Sequence, residues 1–220
     1  MLRAAGVGVG DEVIVPAFGN VEVSEAVALA GARPVFADID PATYCLDTKA
    51  AEAAVTSRTA AIVVVHRFGR SADIAGMHVV GQRHGLLVLQ SGESEVPYDE
   101  VAQRRQRAAY LDTKLRGVCT PEGGVGHTYQ QYVVRVLGNG RPDRDAFARA
   151  LRARGVDCRV PVKTPVHRLP GFRQCVILPE TELAADETLA LPVDASLTKR
   201  DMQRVVSACN ALGGLLQPAF

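Results

Sequence analysis

The chain has no tryptophan, and aromatic side chains make up only 5% of its 220 residues. Its 47% of hydrophobic residues must therefore build a core mainly from Val, Ala, Leu and Ile. That is enough for one compact domain, or one domain plus a small appendage. No run of 18 apolar residues occurs, which excludes a hydrophobic spanning helix. The opening MLRAAGVGVGDEVIVP has no basic stretch followed by an apolar segment, so no secretory leader is expected. Charge of one sign is missing too. The net charge is +1, with no block of Lys or Arg, which speaks against nucleic acid or an anionic membrane as partner. Lysine is scarce, at positions Lys49, Lys114, Lys163 and Lys199 only. The cysteines (Cys45, Cys119, Cys158, Cys175, Cys209) are odd in number and scattered, with no C-x-x-C pair and no metal-like spacing. A reduced, cytoplasmic protein without a metal is the expectation.

What is present is an alternation of short apolar runs with helical periods, the mark of βα units around a parallel sheet. EVIVP (12–16), PVFADI (34–39), AAIVVVH (60–66) and LLVLQ (86–90) are continuous apolar runs bounded by polar or turn residues, as strands buried on both faces require. Between them lie VSEAVALAG (23–31), closed by Gly31, TKAAEAAV (48–55), with Thr48 as a candidate cap, and IAGMHVVGQRHG (74–85), closed by Gly85. After Pro97 an Arg-rich helix is predicted from about Asp99 to Leu115, with Val101, Ala108, Leu111 and Leu115 on one face. The periodicity then predicts a strand over 129–137, a helix over 143–155, a strand over 156–162, and helices over 181–191 and 199–214, the last capped by Ser196 or Thr198. The expected architecture is an α/β parallel-sheet layer over residues 1–98 and a small α+β subdomain over 99–220. Gly6-x-Gly8-x-Gly10 is not a dinucleotide fingerprint, because it precedes a strand instead of following one.

The order of several pieces resembles a known family. GVGVGDEVIVPAF, AGARPVFADIDPATYCLD, TAAIVVVHRFGRSADI and RHGLLVL, followed by QRRQRAAYLDTKLRGV, HTYQQYVVRV, LRARGVDCRVPVKTPVHRLPGF and LALPVDASLTKRDMQRVV, are similar to the pyridoxal-phosphate (PLP) sugar aminotransferases named after DegT, DnrJ and StrS. The resemblance implies a reduced aminotransferase-like sheet layer with a C-terminal subdomain. It also implies that the join between Ser91 and Gln103 omits the segment that carries the family's catalytic lysine.

PLP chemistry needs a lysine for the imine and a carboxylate to keep the ring nitrogen protonated, together with a stacking aromatic and a phosphate-binding turn. Thr113-Lys114-Leu115 imitates the lysine motif, yet it lies in the stretch that resembles the C-terminal helix, so Lys114 is read as an exposed helix residue. Where the resemblance implies the ring Asp and the aromatic, this chain has Ser91 and Asn20, and the implied phosphate turn precedes Met1. No cofactor is therefore expected.

Open parallel sheets bind ligands at the carboxyl ends of their strands. Here those ends carry Phe18 and Asn20, Asp38 and Asp40, His66 and Arg67, and Ser91, Glu93 and Glu95. Asp38 and Asp40 read as turn caps. Glu93 and His66 are the candidate acid/base pair, a Glu beside apolar walls having its pKa raised toward neutrality. Arg67 is a candidate for an anionic oxygen. From the second half Tyr129, Lys163 and His167 are candidates, with Lys163 a third catalytic candidate and the others binding substrate. The expected function is a PLP-independent cyclisation, dehydration or isomerisation of a small natural-product intermediate by a homodimer. A non-catalytic partner of an intact aminotransferase is the alternative.

Overall fold

A computed structural model describes residues 2–19, 21–92, 96–124, 126–138 and 141–213. The chain divides into two compact units. The first comprises Met1–Arg67, Ser71–Glu93 and Thr164–Glu182, and the second Phe68–Arg70, Ser94–Lys163 and Leu183–Phe220.

The first unit is built on four parallel strands in the order β2-β1-β3-β4. These are β1 (Glu12–Pro16), β2 (Arg33–Ala37), β3 (Thr59–Val65) and β4 (Leu87–Ser91). Their apolar runs are continuous because both faces are covered. Val13, Val15, Phe36, Ala61, Val63 and Val65 face α1 (Val21–Ala30), whereas Ile14, Ala37, Ile62 and Val64 face α2 (Thr48–Ala53) and α3 (Ile74–His84). Asp47, one residue before the expected Thr48, caps α2 by accepting from Ala50 N at 2.7 Å, and Gly85 closes α3 in the left-handed conformation. β1 lies between β2 and β3, so the switch in strand order falls at the carboxyl ends of β1 and β3.

The second unit packs α4 (Tyr98–Lys114), α5 (Arg141–Ala153) and α7 (Lys199–Gly213) on a two-stranded antiparallel ribbon. The ribbon pairs β5 (Tyr132–Arg135) with β6 (Thr188–Leu191), Tyr132 opposite Leu191. Ala108, Leu111, Tyr132, Leu151, Leu189 and Cys209 are buried together there. Of the two caps expected from the sequence, Ser196 or Thr198, it is Thr198 that caps α7, exchanging hydrogen bonds with Asp201.

Three predicted elements differ. The helix predicted over 181–191 is α6 (Pro179–Glu187) followed at once by β6, because Thr188–Leu191 find β5 as a partner. Residues 156–162 make only the isolated bridge Arg159–Ala190 instead of a strand, and Pro161 has no N–H to extend it. The strand predicted over 129–137 shortens to β5, since Tyr129 has a positive φ of 49°. The Arg-rich face of α4 is also more than a solvated face. Arg107 donates to the carbonyls of Ala195 (2.6 Å) and Leu197 (3.1 Å), Arg105 to that of His127 (2.9 Å) and Arg104 to that of Gln130 (3.2 Å), tying loops to the helix.

Candidate functional site

Four of the predicted residues come together at the carboxyl ends of the strands in the first unit: Phe18 after β1, His66 and Arg67 after β3, and Ser91 at the end of β4. The His66 amide donates to the Ser91 carbonyl at 3.3 Å, continuing the ladder one step past β3. The His66 ring accepts from the Ala72 amide through Nδ1 at 3.1 Å. In the neutral ring this leaves Nε2 as the N–H donor.

Arg67 is only 4% exposed, unusual burial for an arginine. Its guanidinium lies 5.7 Å from the centroid of the fully buried Phe18 ring, and the Tyr44 ring is 5.7 Å from that same ring. Gly19 makes this seat. Its φ is +149°, and a Cβ built on it would stand 3.2 Å from the Arg67 guanidinium. The backbone thus turns aside at the topological switch point to admit a buried cation. Nothing in the periodicity signals that burial, because Arg67 follows an apolar run as an ordinary strand terminus would.

On the α1 face of the sheet is a cavity of about 670 Å³, which of these four residues only Ser91 lines, since the His66 ring turns to Ala72 on the opposite face. Leu29, Ala26, Val63 and Leu89 form its apolar wall, with Ser91 and Glu22 among its polar lining.

The other candidates lie elsewhere. His167 belongs to the first unit but is directed to the Phe36 ring (6.3 Å) and to Glu182 (3.4 Å), and burial lowers its pKa. Tyr129 and Lys163 belong to the second unit. The Tyr129 ring stacks on His127 at 3.9 Å and 7°, while its amide donates to His127 Nδ1. Burial holds the His127 pKa down to about 4, helped by the positive charge of Arg70. Burial, with the Asp112 carboxylate nearby, pushes the Tyr129 hydroxyl up. Tyr132, missed from the sequence, donates to Asp112 at 2.6 Å. Lys163 is exposed. Asn20, Glu93 and Glu95 lie outside the described residues, so the proposed pairing of Glu93 with His66 has no geometry to report.

Asp38 caps more than its own turn. Its carboxylate accepts from the amides of Glu180 (3.0 Å) and Thr181 (2.8 Å) at the start of α6, while Asp40 closes the local turn through Ala42 and Thr43.

A family model of DegT/DnrJ/EryC1/StrS aminotransferases matches residues 1–91 and 98–210. The L-glutamine:2-deoxy-scyllo-inosose aminotransferase of Streptomyces lividus is 39% identical over 98% of this chain and 49% of its own length. The L-glutamine:scyllo-inosose aminotransferase of Streptomyces griseus is 51% identical over 89 residues, 40% of this chain and 21% of that protein. The chain spans about half or less of the length of these curated relatives. Among solved structures, the aminotransferase TlmJ of Streptoalloteichus hindustanus superposes with a TM-score of 0.87 over 98% of this chain and 82% of that one, at 24% identity, a likeness of fold alone.

The comparisons overturn the expectation of a PLP-independent cyclase, dehydratase or isomerase. The curated relatives that the chain matches are named aminotransferases. The residues present test the cofactor that such a family implies. The only lysine of the first unit, Lys49, is exposed on α2, Ser91 stands where a ring carboxylate is implied, and the Phe18 ring is enclosed by Tyr44 and Arg67. These residues do not fit PLP held as an imine by this unit. The matched stretches meet across the short connection from β4 to α4, with no room there for a lysine-bearing segment. With most of its length matched and the parallel sheet in place, the chain belongs to the DegT/DnrJ/EryC1/StrS aminotransferase family.

Proposed function

We propose that this chain serves amino transfer to the ring ketone of an oxo-cyclitol or oxo-sugar, as the part of such an aminotransferase that flanks its lysine-bearing segment. That segment comes from a separate polypeptide. The observation that carries this reading is the 51% identity to a scyllo-inosose aminotransferase over 89 residues. A stretch of that length is close to the extent of the four-stranded sheet and its strand ends. The chain works in the cytoplasm, where its five free cysteines stay reduced.

In this reading the strand ends bind and orient a hydroxyl-rich ring. The Ser91 hydroxyl, which lines the cavity, both donates and accepts. Arg67 supplies positive potential from below, strengthened by its burial. The apolar wall of Leu29, Val63 and Leu89 covers the C–H face of the ring.

The test is titration calorimetry of the purified chain with 2-deoxy-scyllo-inosose, with myo-inositol as the ketone-free control, followed by an amine-transfer assay from L-glutamine with added PLP. Saturable binding of the ketone but not of myo-inositol is expected, with turnover only after a lysine-bearing aminotransferase segment is added. Absence of ketone binding, or turnover by the chain alone, overturns the proposal.

A further inference from the structure

The amino end of the parallel sheet holds a second basin, of about 570 Å³, at the opposite end of the strands from Phe18 and Ser91. All of its lining belongs to the first unit. Arg33 at the start of β2, Arg58 just before β3 and Arg173 just after the turn Pro170–Phe172 bring arginines to it from three separate segments. Glu12 organises two of them. Its side chain is only 2% exposed, and its Oε1 accepts from Nη2 of Arg33 and from Nη2 of Arg58, each at 2.7 Å, so the two guanidinium groups stand side by side on one oxygen. A single carboxylate cannot neutralise both. Arg58 also donates to that oxygen through Nε at 3.1 Å, which leaves its Nη1, and the Nε and Nη1 of Arg33, for a further acceptor on side chains that are 64% and 59% exposed. Arg173 is exposed and stands outside the Glu12 network. The other carboxylate of the lining, Asp11, is turned to its own loop, where its Oδ2 accepts from the Gly8 amide at 2.8 Å. The carboxyl end of α1 also reaches the basin, but its Val27 and Ala28 carbonyls already accept from the amides of Ala32 and Gly31.

We infer that this basin binds a small polyphosphate anion, of which inorganic pyrophosphate is the simplest, with Arg33, Arg58 and Arg173 on its oxygens. Three observations choose this class of ligand. The lining sets three arginines against two carboxylates, so a polyanion matches the excess charge and a neutral molecule does not. The guanidinium groups arrive from three segments, and tetrahedral phosphates offer oxygens in as many directions, whereas a carboxylate offers two in one plane. A basin of about 570 Å³ is the size of a small-molecule site and has room for more than a single phosphate. The buried Glu12 holds Arg33 and Arg58 in position before any ligand arrives, which lowers the entropy lost on binding. This inference is independent of the amino-transfer reading, which concerns the other end of the strands.

Titration calorimetry of the whole chain with inorganic pyrophosphate tests it, with citrate as a polyanion built from carboxylates, and circular dichroism follows the folding of three variants. Arg173→Gln removes the arginine that Glu12 does not hold. Gly171→Asp adds a negative charge to the lining at a position where a Cβ meets no atom within 4 Å, so the fold accommodates it. Arg83→Gln, on α3 and outside the lining, makes the same charge change as Arg173→Gln elsewhere on the surface. The wild type should take up one pyrophosphate per chain, about tenfold more tightly than citrate. The dissociation constant should rise about fivefold in Arg173→Gln and about tenfold in Gly171→Asp, and stay unchanged in Arg83→Gln. Absence of saturable pyrophosphate binding overturns the proposal, as does equal affinity for citrate. Folded Arg173→Gln and Gly171→Asp chains that keep wild-type affinity, or a loss in Arg83→Gln as large as theirs, overturn it as well.

Discussion

The amino and carboxyl ends of the parallel sheet bury opposite charges by opposite means. At the amino end Glu12, only 1% exposed, accepts from Arg33 (2.7 Å), Arg58 (2.7 Å) and Thr56 (2.6 Å). The Thr56 hydroxyl and the two guanidinium groups outweigh the cost of burial and hold its pKa down to about 2. Both carboxylate oxygens are occupied, and both arginines reach solvent with their remaining donors. At the carboxyl end the buried charge is a cation, Arg67, laid on the Phe18 ring beside Gly19. The closed network leaves no carboxylate oxygen of Glu12 free and serves stability. The strand ends, by contrast, carry donors and a positive potential at the switch point where open α/β sheets bind.

That contrast can be broken from either side. Glu12→Ala should have the largest effect on folding, about 2–4 kcal/mol, measured by urea denaturation, with ketone affinity unchanged in the folded fraction. The pH dependence follows from the sign of its shift. The folded pKa of about 2 is below the ordinary 4.5, so the contribution is complete above about pH 4.5 and is lost as pH falls toward 2. A second acid-sensitive group lies in the other unit. His127 is buried neutral with a pKa near 4 against an ordinary 6.5, so its contribution is present above pH 6.5 and lost as pH falls through 4. In His127→Gln that upper part of the acid slope should flatten, and Glu12→Gln should reduce the slope below pH 4.5, to which Glu52 and Asp201 also contribute.

At the carboxyl end the balance should invert. Arg67→Leu should weaken ring-ketone binding at least tenfold by calorimetry, a larger change relative to its effect on stability than Glu12→Ala shows. Ser91→Ala is the smallest change. Melting should stay within about 0.5 kcal/mol of wild type while ketone affinity falls by about threefold to tenfold. Equal losses of stability and affinity in all these variants would erase the distinction between the two ends.

Much of the first unit was legible because its signals are local. Continuous apolar runs announce strands covered on both sides, and helix stops such as Gly85 need only neighbouring backbone. The second unit was less legible. The Leu189 and Leu191 side chains read as the tail of a helix until β5, more than fifty residues earlier, supplies the pairing. Arg144 sits in an apparently polar helix, yet it is 1% exposed and donates to the carbonyls of Ala185 (3.0 Å) and Thr188 (2.9 Å). At the site, His66, Arg67 and Ser91 were identified as strand-end residues, but the burial of Arg67 and the enclosure of Phe18 were not.

The sequence by itself determined the family, the four parallel strands, most helix boundaries and the omission after Ser91, because each is written in a contiguous pattern of apolar, capping and motif residues. Tertiary structure alone decided which charges are buried and that Asp38 caps a helix 142 residues away. Those outcomes depend on partners distant in sequence. A carboxylate or guanidinium enters a low-dielectric interior only where such partners converge on it.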